Sequence, residues 1–156
     1  MLIPLLLGCL TIFISMGIQL VAVVLMLKYL FSILGDNGRK SFSLSSNAYV
    51  LGIVILMLFT GNMIQISIWA LLFLQLGEFG DYTTAFYHSA VNFGSLGYGD
   101  IVMSEKWRLL GALEASNGVL MFGITAGTLL AVMTRLITAN IYTAEQLAEK
   151  KDNNKT

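Results

Sequence analysis

Long stretches without a charged residue are the feature that most constrains this sequence. Residues 1–27 and 41–77 contain no Asp, Glu, Lys or Arg, and Glu114 is the single charge between Leu109 and Thr134. Each stretch exceeds the roughly 20 residues that an α-helix needs to cross the hydrocarbon core of a bilayer. Only 12% of the 156 residues are charged, which is about half the share in an ordinary soluble domain. The sequence therefore predicts an all-α membrane protein with three membrane-spanning helices.

A fourth uncharged segment, residues 82–99, can be a short span or a re-entrant loop that enters and leaves the membrane on one side. The basic residues separate these topologies, because cytoplasmic loops are richer in Lys and Arg. With the N-terminus outside, a spanning segment divides the nine basic residues into five inside and four outside, whereas a re-entrant loop divides them into seven and two. The sequence therefore favours the re-entrant loop, with the N-terminus outside and the C-terminus in the cytoplasm.

The re-entrant loop has two halves. Asp81, Thr83 and Thr84 provide N-cap groups for a short apolar helix over residues 82–93, which reaches about half the hydrocarbon depth at about 1.5 Å per residue. The negative end of its dipole favours a cation there. In the second half, Gly97 and Gly99 allow backbone conformations that turn successive carbonyls to one side. Since non-helical backbone at membrane depth is tolerated only where protein buries it or water lines it, the loop indicates a pore or cavity.

Residues 95–100, Ser-Leu-Gly-Tyr-Gly-Asp, resemble the selectivity-filter signature of potassium channels, usually written Thr-Val-Gly-Tyr-Gly-Asp. Together with the preceding apolar helix and the glycine-bearing helix after Trp107-Arg108, they are similar to the pore module of small bacterial potassium channels of the pore-loop family. The similarity covers roughly residues 48–138. In that family, four loops surround one axis and their carbonyl oxygens replace the hydration shell of the ion. The resemblance implies a homotetrameric, potassium-selective channel that conducts K⁺ passively and uses no cofactor.

The charge-free stretches and the resemblance together divide the chain into segments, although the resemblance does not explain the first span or the tail. They are an extra N-terminal transmembrane helix at 1–34, a pore module at 47–138 and a short cytoplasmic tail at 139–156. Within the pore module we expect an outer helix at 47–77, a pore helix at 82–93, a filter at 95–100 and an inner helix at 107–138. Asn47 is the expected N-cap of the outer helix.

The resemblance assigns roles to individual residues of the loop. Backbone carbonyls of the filter coordinate K⁺, and the filter residues are Ser95, Leu96, Gly97, Tyr98 and Gly99, with the ion held by the first four. Tyr98 points away from the axis and braces the filter against neighbouring pore helices, while Asp100 attracts cations at the outer mouth. Support around the filter is expected from His88, Asn92, Gly94 and Glu114.

Three residues depart from the family pattern. Gly94 stands where Thr is common, Ser95 lacks the methyl group of Thr, and Val91 replaces a glutamate that some members carry in the pore helix. These departures predict a filter that is held less stiffly, with K⁺ preference but weaker discrimination or easier inactivation. A Thr at position 94 is expected to tighten selectivity.

The inner helix contains candidates for a hinge and an unusual acid. In the resembled family a glycine of this helix permits the bend that opens the gate. Gly123 is the first candidate, Gly118 the second, and Gly127 forms a small-xxx-small pair with Gly123; close packing alone is the alternative role. Glu114 is a functional candidate because it is ionisable within a span. A brace, protonated or hydrogen-bonded to Asn92, His88 or Asn117, and a direct role in the ion path both remain open.

Other side chains have a structural and a functional interpretation. His88 is either a packing residue of the pore helix or a proton sensor, and in the second case His88→Phe abolishes a pH response. Polar residues recur along the first two spans, and they predict hydrogen-bonded helix packing without a role in transport: Thr11, Ser15, Gln19, Asn62, Gln65 and Trp69.

Composition limits the remaining classes of function. A net charge of zero argues against nucleic acid as a partner, and the chain lacks the nucleophile–base pair of an enzyme. The expected partners are further copies of the chain and membrane lipid, with room for an unidentified regulatory partner. The expected location is the plasma membrane, as in a bacterial inner membrane. A weakly selective monovalent cation channel and a non-conducting channel-like subunit are the alternative functions.

Overall fold

The computed structural model describes residues 2–36 and 44–153, which form four α-helices. They are α1 at Leu2–Asp36, α2 at Leu44–Gln75, α3 at Tyr82–Phe93 and α4 at Arg108–Asn153. Among the described residues, three helical stretches are long and apolar enough to cross a membrane: Leu2–Ile33, Asn47–Gln75 and Arg108–Tyr142. The predicted all-α class with three spans is confirmed.

Two helix ends differ from the predicted bounds. α2 begins at Leu44, so Asn47 lies in its first turn and not at the N-cap, and the Asn47 Oδ1 has no hydrogen-bond partner. α4 continues past the predicted end at residue 138 to Asn153, because the polar tail is rich in helix-forming Ala, Glu, Gln, Leu and Lys. Parts of the predicted first helix and tail, Met1 and residues 154–156, lie outside the described residues.

Two clusters of buried apolar side chains fix the directions of the long helices. In the first cluster, Trp69 near the end of α2 packs with Leu110 near the start of α4. In the second, Val54 near the start of α2 packs with Val132 far along α4. α2 and α4 are therefore antiparallel, and van der Waals packing of these side chains stabilises the pair, because lipid tails are as apolar as the side chains themselves.

α1 packs against both α2 and α4 and runs parallel to α4. Near its start, a Cβ added to Gly8 would overlap the side chain of Leu113, so the small residue allows a close approach of α1 to α4. Near its end, Met26 belongs to the second apolar cluster with Val132. The first span is thus an integral part of the helical bundle.

Hydrogen bonds between side chains join α1 to both neighbours. The Gln65 amide nitrogen on α2 donates to the Gln19 Oε1 on α1 at 2.9 Å, and the Gln19 amide nitrogen donates to the Thr125 hydroxyl on α4 at 3.1 Å. The predicted hydrogen-bonded packing is confirmed at Gln19 and Gln65. It does not extend to Thr11, which donates to the Leu7 carbonyl of its own helix. The Ser15 Oγ, the Asn62 Oδ1 and the Trp69 Nε1 have no hydrogen-bond partner, so the prediction is wrong for these atoms too.

The segment between α2 and α4 leaves and returns at one end of the bundle. Glu78, just after α2, accepts hydrogen bonds from the N–H and the hydroxyl of Ser104, each at 2.7 Å. α3 lies between these two residues in the sequence and packs against both α2 and α4. The segment therefore enters the bundle and comes back on the same side, which is the geometry predicted for the re-entrant loop.

Candidate functional site

The N-terminus of α3 is fixed by Asp81. Its carboxylate accepts hydrogen bonds from the Thr84 N–H at 2.9 Å and the Thr84 hydroxyl at 2.7 Å. The backbone hydrogen bond from Thr84 is the main reason that the pKa of Asp81 lies below its ordinary value. The predicted capping by Asp81 is confirmed, and the cap sets where the helix enters the bundle.

The C-terminus of α3 lies inside the bundle. The helix has 12 residues and ends at Phe93, which is fully buried. At about 1.5 Å per residue it spans roughly 18 Å, about half the thickness of a hydrocarbon core. Its last carbonyls, which carry the negative end of the helix dipole, therefore point into the interior at the residue where the non-helical chain begins.

Gly94 caps this helix in a right-handed conformation, with φ −71° and ψ −6°. Any residue can adopt these angles, so the constraint on Gly94 is space. A Cβ added at this position would lie 3.0 Å from the Ala90 carbonyl oxygen, which is tighter than most carbon–oxygen contacts. A larger residue here presses on the last turn of α3, directly before the returning chain.

In the chain that follows α3, every second residue from Ser95 to Gly99 has a left-handed backbone conformation. Ser95, Gly97 and Gly99 have positive φ angles of 56°, 59° and 73°. Ser95 is the one non-glycine residue with positive φ among the described residues, and such a conformation costs about 1–3 kcal/mol and is concentrated at functional sites. A Cβ added at Gly97 or Gly99 meets nothing within 4 Å, so these glycines are required by the backbone and not by space.

Alternate left-handed residues change what the backbone can bind. In a regular β-strand successive carbonyls point to opposite sides, whereas left-handed residues at every second position allow successive carbonyls to turn to the same side. A row of carbonyl oxygens on one side is a set of ligands suited to a hard, weakly hydrated cation. The side chains of Leu96 and Tyr98 are 57% and 66% exposed in one chain, so neither packs into the subunit that carries it.

Asp100, at the end of the alternating segment, is held by a residue that the sequence argument missed. The Tyr87 hydroxyl donates to the Asp100 Oδ2 at 2.7 Å. This bond is the main cause of an Asp100 pKa below its ordinary value. Val91 stands where the resembled family can carry an acid, and Tyr87, one turn earlier, supplies the link from α3 to Asp100. Nothing in the sequence singled out Tyr87, because α3 also carries hydroxyl groups on Tyr82, Thr83, Thr84 and Ser89.

The predicted supporting residues meet on the inner side of α3. His88 is buried, with its ring centroid 5.5 Å from Phe73 and 4.8 Å from Phe79. The Asn92 amide nitrogen lies 3.3 Å from the Nε2 of His88. This geometry favours the packing role of His88 over the proton sensor, because aromatic rings enclose the imidazole.

Glu114 is fully buried behind α3, and its Oε1 contacts the Ser89 hydroxyl. Asn92, one of the predicted partners, also lies beside this carboxyl group. Asn117, another predicted partner, is buried with both amide atoms unpaired. Ser89 was not predicted as a partner, although its position one turn before Phe93 on the same helix places it near α4.

The three candidate hinge glycines have different surroundings. A Cβ added to Gly118 would overlap the carbonyl oxygen of Phe93, so α4 touches the backbone at the end of α3 at this point. A Cβ added to Gly123 or Gly127 meets nothing within 4 Å. Within one chain, close packing accounts for Gly118, while Gly123 and Gly127 stand on an open face of α4.

The fold and the loop together define a membrane protein with a re-entrant segment, and comparison with known families agrees. Residues 52–135 match the family described as "Ion channel", from within α2 through the loop and into α4. Because the match covers more than half of the chain, the protein belongs to this ion-channel family. Neither a curated protein nor a solved structure matches the chain. α1 lies outside the matched residues.

Proposed function

We propose that the protein is a homotetrameric, potassium-selective channel that conducts K⁺ passively through a filter of backbone carbonyls. The observation that carries the proposal is the alternation of left-handed residues at Ser95, Gly97 and Gly99, directly after the buried end of a half-membrane helix. Membership in an ion-channel family supports it, as does the Gly-Tyr-Gly-Asp sequence at residues 97–100.

The chain's own residues supply the chemistry of the filter. Carbonyl oxygens of Ser95, Leu96, Gly97 and Tyr98 replace water around K⁺, and the hydroxyl of Ser95 adds a ligand at the inner end. The dipole of α3 favours a cation at that end. Asp100 is ionised at neutral pH, as an ordinary Asp is, and the Tyr87 hydroxyl lowers its pKa further, so it attracts cations to the mouth. K⁺ is the transported ion and no cofactor takes part.

Exposed surfaces of one chain support the tetramer. One loop cannot encircle an ion, so a carbonyl ring needs further copies of the loop. The exposed side chains of Leu96 and Tyr98 are free to pack against neighbouring copies. Of the three membrane-spanning stretches, the one on α4 has the smallest share of buried residues, 17%. Val119 and Leu130 on this helix are 60% and 66% exposed. Apolar surface of this extent suits contact with other subunits and with lipid.

The proposed location is the plasma membrane, as in a bacterial inner membrane, with the filter mouth outside. α1 starts at the same end of the bundle as the loop, so the N-terminus is outside and the C-terminal end of α4 lies in the cytoplasm. The seven-to-two division of basic residues supports this orientation.

Reversal potentials of the purified protein in planar bilayers, with K⁺ on one side and Na⁺ on the other, test the function. A K⁺-selective channel gives a reversal potential near that of K⁺. A value near zero identifies a weakly selective cation channel, and contradicts the proposed selectivity. A protein that assembles as a tetramer but carries no current is a non-conducting subunit, and contradicts the proposed conduction. Native mass measurement of the same sample decides the number of subunits.

A further inference from the structure

One carboxyl group ties three helices together behind the candidate filter. Glu114 on α4 is 0% exposed, and its Oε1 contacts the hydroxyl oxygen of Ser89 on α3. The same Ser89 oxygen lies 2.9 Å from the carbonyl oxygen of Ile66 on α2. Ser89 is itself fully buried, so water does not complete either contact at the surface.

The hydrogens at this junction can be counted. The Ser89 hydroxyl has one hydrogen, and both of its neighbours are oxygen atoms that accept. The Ile66 carbonyl has no proton to offer. If Ser89 donates to Ile66, the contact between Ser89 and Glu114 needs a proton from Glu114. If Ser89 donates to Glu114 instead, the Ile66 contact brings two acceptor oxygens together without a hydrogen. Both contacts are satisfied together only when the carboxyl group is protonated.

The charges around Glu114 lead to the same conclusion. No Asp, Glu, Lys or Arg occurs in α2 between Leu44 and Gln75, or in α3. The histidine of α3, His88, packs against the rings of Phe73 and Phe79 and has its polar contact with Asn92. Residues 1–27, which include the part of α1 packed beside this end of α4, also carry none. Arg108, the nearest basic residue along α4, is exposed. A buried carboxylate without a cation and with an unpaired Oε2 would cost several kcal/mol.

We propose that Glu114 is a neutral carboxylic acid that donates a hydrogen bond to the Ser89 oxygen, while Ser89 donates to the Ile66 carbonyl. This relay joins α4 to α3 through the acid proton of Glu114, and α3 to α2 through the hydroxyl proton of Ser89. It makes Glu114 a positioning residue for the pore helix, and it excludes a direct role in the ion path, because the side chain is fully buried within one subunit.

The relay acts close to the filter. Ser89 lies one turn before Phe93, and Glu114 lies one turn before Gly118, whose Cα faces the Phe93 carbonyl. α3 and α4 are therefore held at two successive turns, and the alternating segment begins at the second of them. The link to ion conduction rests on the proposed function, whereas the protonation of Glu114 does not.

Infrared difference spectroscopy tests the protonation directly. The spectrum of the wild-type protein minus that of Glu114→Gln, recorded near neutral pH, is expected to show the C=O band of a hydrogen-bonded carboxylic acid. In Ser89→Ala, which removes the proposed acceptor, the band is expected to shift toward that of a free acid. Carboxylate bands in place of the acid band in the wild-type difference spectrum would overturn the proposal.

Ion flux tests the positioning role with a matched pair of variants. Glu114→Gln keeps a neutral hydrogen-bond donor, while Glu114→Leu has a similar volume and no donor. Loss of one buried hydrogen bond changes the equilibrium between the held and the displaced position of the pore helix by about tenfold. If only the held position conducts, the K⁺ flux of Glu114→Gln should exceed that of Glu114→Leu by about tenfold. Equal loss in both variants would overturn the positioning role. An absence of flux in the wild type would overturn the proposed function, and the infrared result would then decide the protonation alone.

Discussion

Gly118 is the position where a single methyl group tests the packing of the pore helix against the inner helix. A Cβ added there overlaps the Phe93 carbonyl oxygen and lies 2.7 Å from the Phe93 carbonyl carbon. An ordinary carbon–carbon contact needs about 3.5 Å, so the contact with the carbonyl carbon alone requires α3 and α4 to separate by roughly 0.8 Å, and the overlap with the oxygen requires more. Overpacking costs about 1–3 kcal/mol, and the upper end applies because the clashing atoms belong to the backbone. Ala offsets about 1 kcal/mol of this through its higher helix propensity.

Gly118→Ala is therefore expected to destabilise the protein by about 2 kcal/mol per subunit. Gly123→Ala and Gly127→Ala are matched controls, because an added Cβ meets nothing within 4 Å of either position in one chain. Each control is expected to gain about 1 kcal/mol in helix propensity. Thermal unfolding of the three purified variants in detergent measures the order of stability.

Open probability in bilayers separates packing from bending at the same three positions. Gly118→Ala should lower both thermal stability and current, because it displaces the residue that precedes the filter. If Gly123 is the hinge, Gly123→Ala should lower open probability without lowering thermal stability. Wild-type stability in Gly118→Ala, or greater loss in Gly123→Ala than in Gly118→Ala, would refute the close approach of α4 to Phe93.

Three further outcomes follow from hydrogen bonds and contacts near the loop. In Tyr87→Phe the pKa of Asp100 should return toward 3.8. In the wild type the lowered pKa stabilises the folded mouth above pH 3.8, and this contribution is lost as the pH falls through the folded-state pKa. The variant should therefore inactivate faster than the wild type near neutral pH and equally fast at strongly acid pH. Gln19→Leu leaves Gln65 and Thr125 without their partner and should cost about 1–2 kcal/mol of stability between membrane-spanning helices. If α1 restrains the Gly123–Gly127 segment, the open probability also changes. Unchanged melting and gating would contradict this prediction. Gly94→Thr should raise the K⁺ over Na⁺ permeability ratio if α3 accommodates a Cβ that lies 3.0 Å from the Ala90 carbonyl oxygen. Thermal stability measured on the same variant shows whether strain, and not selectivity, accounts for a change in current.

Charge-free length and the distribution of basic residues were sufficient to predict the spans and the re-entrant loop. Each span needs a long run of apolar residues, which the sequence shows directly. The 12-residue helix at Tyr82–Phe93 could be predicted from its N-cap and from the glycines that follow it. The end of α4 was harder to predict, because the polar tail favours a helix by propensity while its charge suggests a solvated segment. α4 continues beyond its membrane-spanning part without a helix-breaking residue, so the sequence contains no signal for the end of the helix at the membrane surface.

The contacts that support the loop could be predicted only in part. Asn92 and Glu114 could be placed behind the filter, since each is polar at a depth where polar groups need partners. The bond from Tyr87 to Asp100 depends on the path of the returning chain, which the sequence does not specify. Likewise, the contact of Gly118 with Phe93 depends on how α4 is rotated, and a glycine in the sequence fits both a hinge and a close approach.

K⁺ flux into liposomes, measured for the wild type and Gly97→Ala with Gly77→Ala as control, tests the filter most directly. Gly97 and Gly77 both have positive φ, 59° and 73°, and an added Cβ meets nothing within 4 Å at either position. Ala therefore imposes the same strain of about 1–2 kcal/mol at both, but only Gly97 lies in the proposed ring of carbonyls. We expect K⁺ flux in the wild type and in Gly77→Ala, and loss of K⁺ flux in Gly97→Ala. Equal flux from Gly97→Ala and the wild type would contradict the assignment of residues 95–99 as the filter.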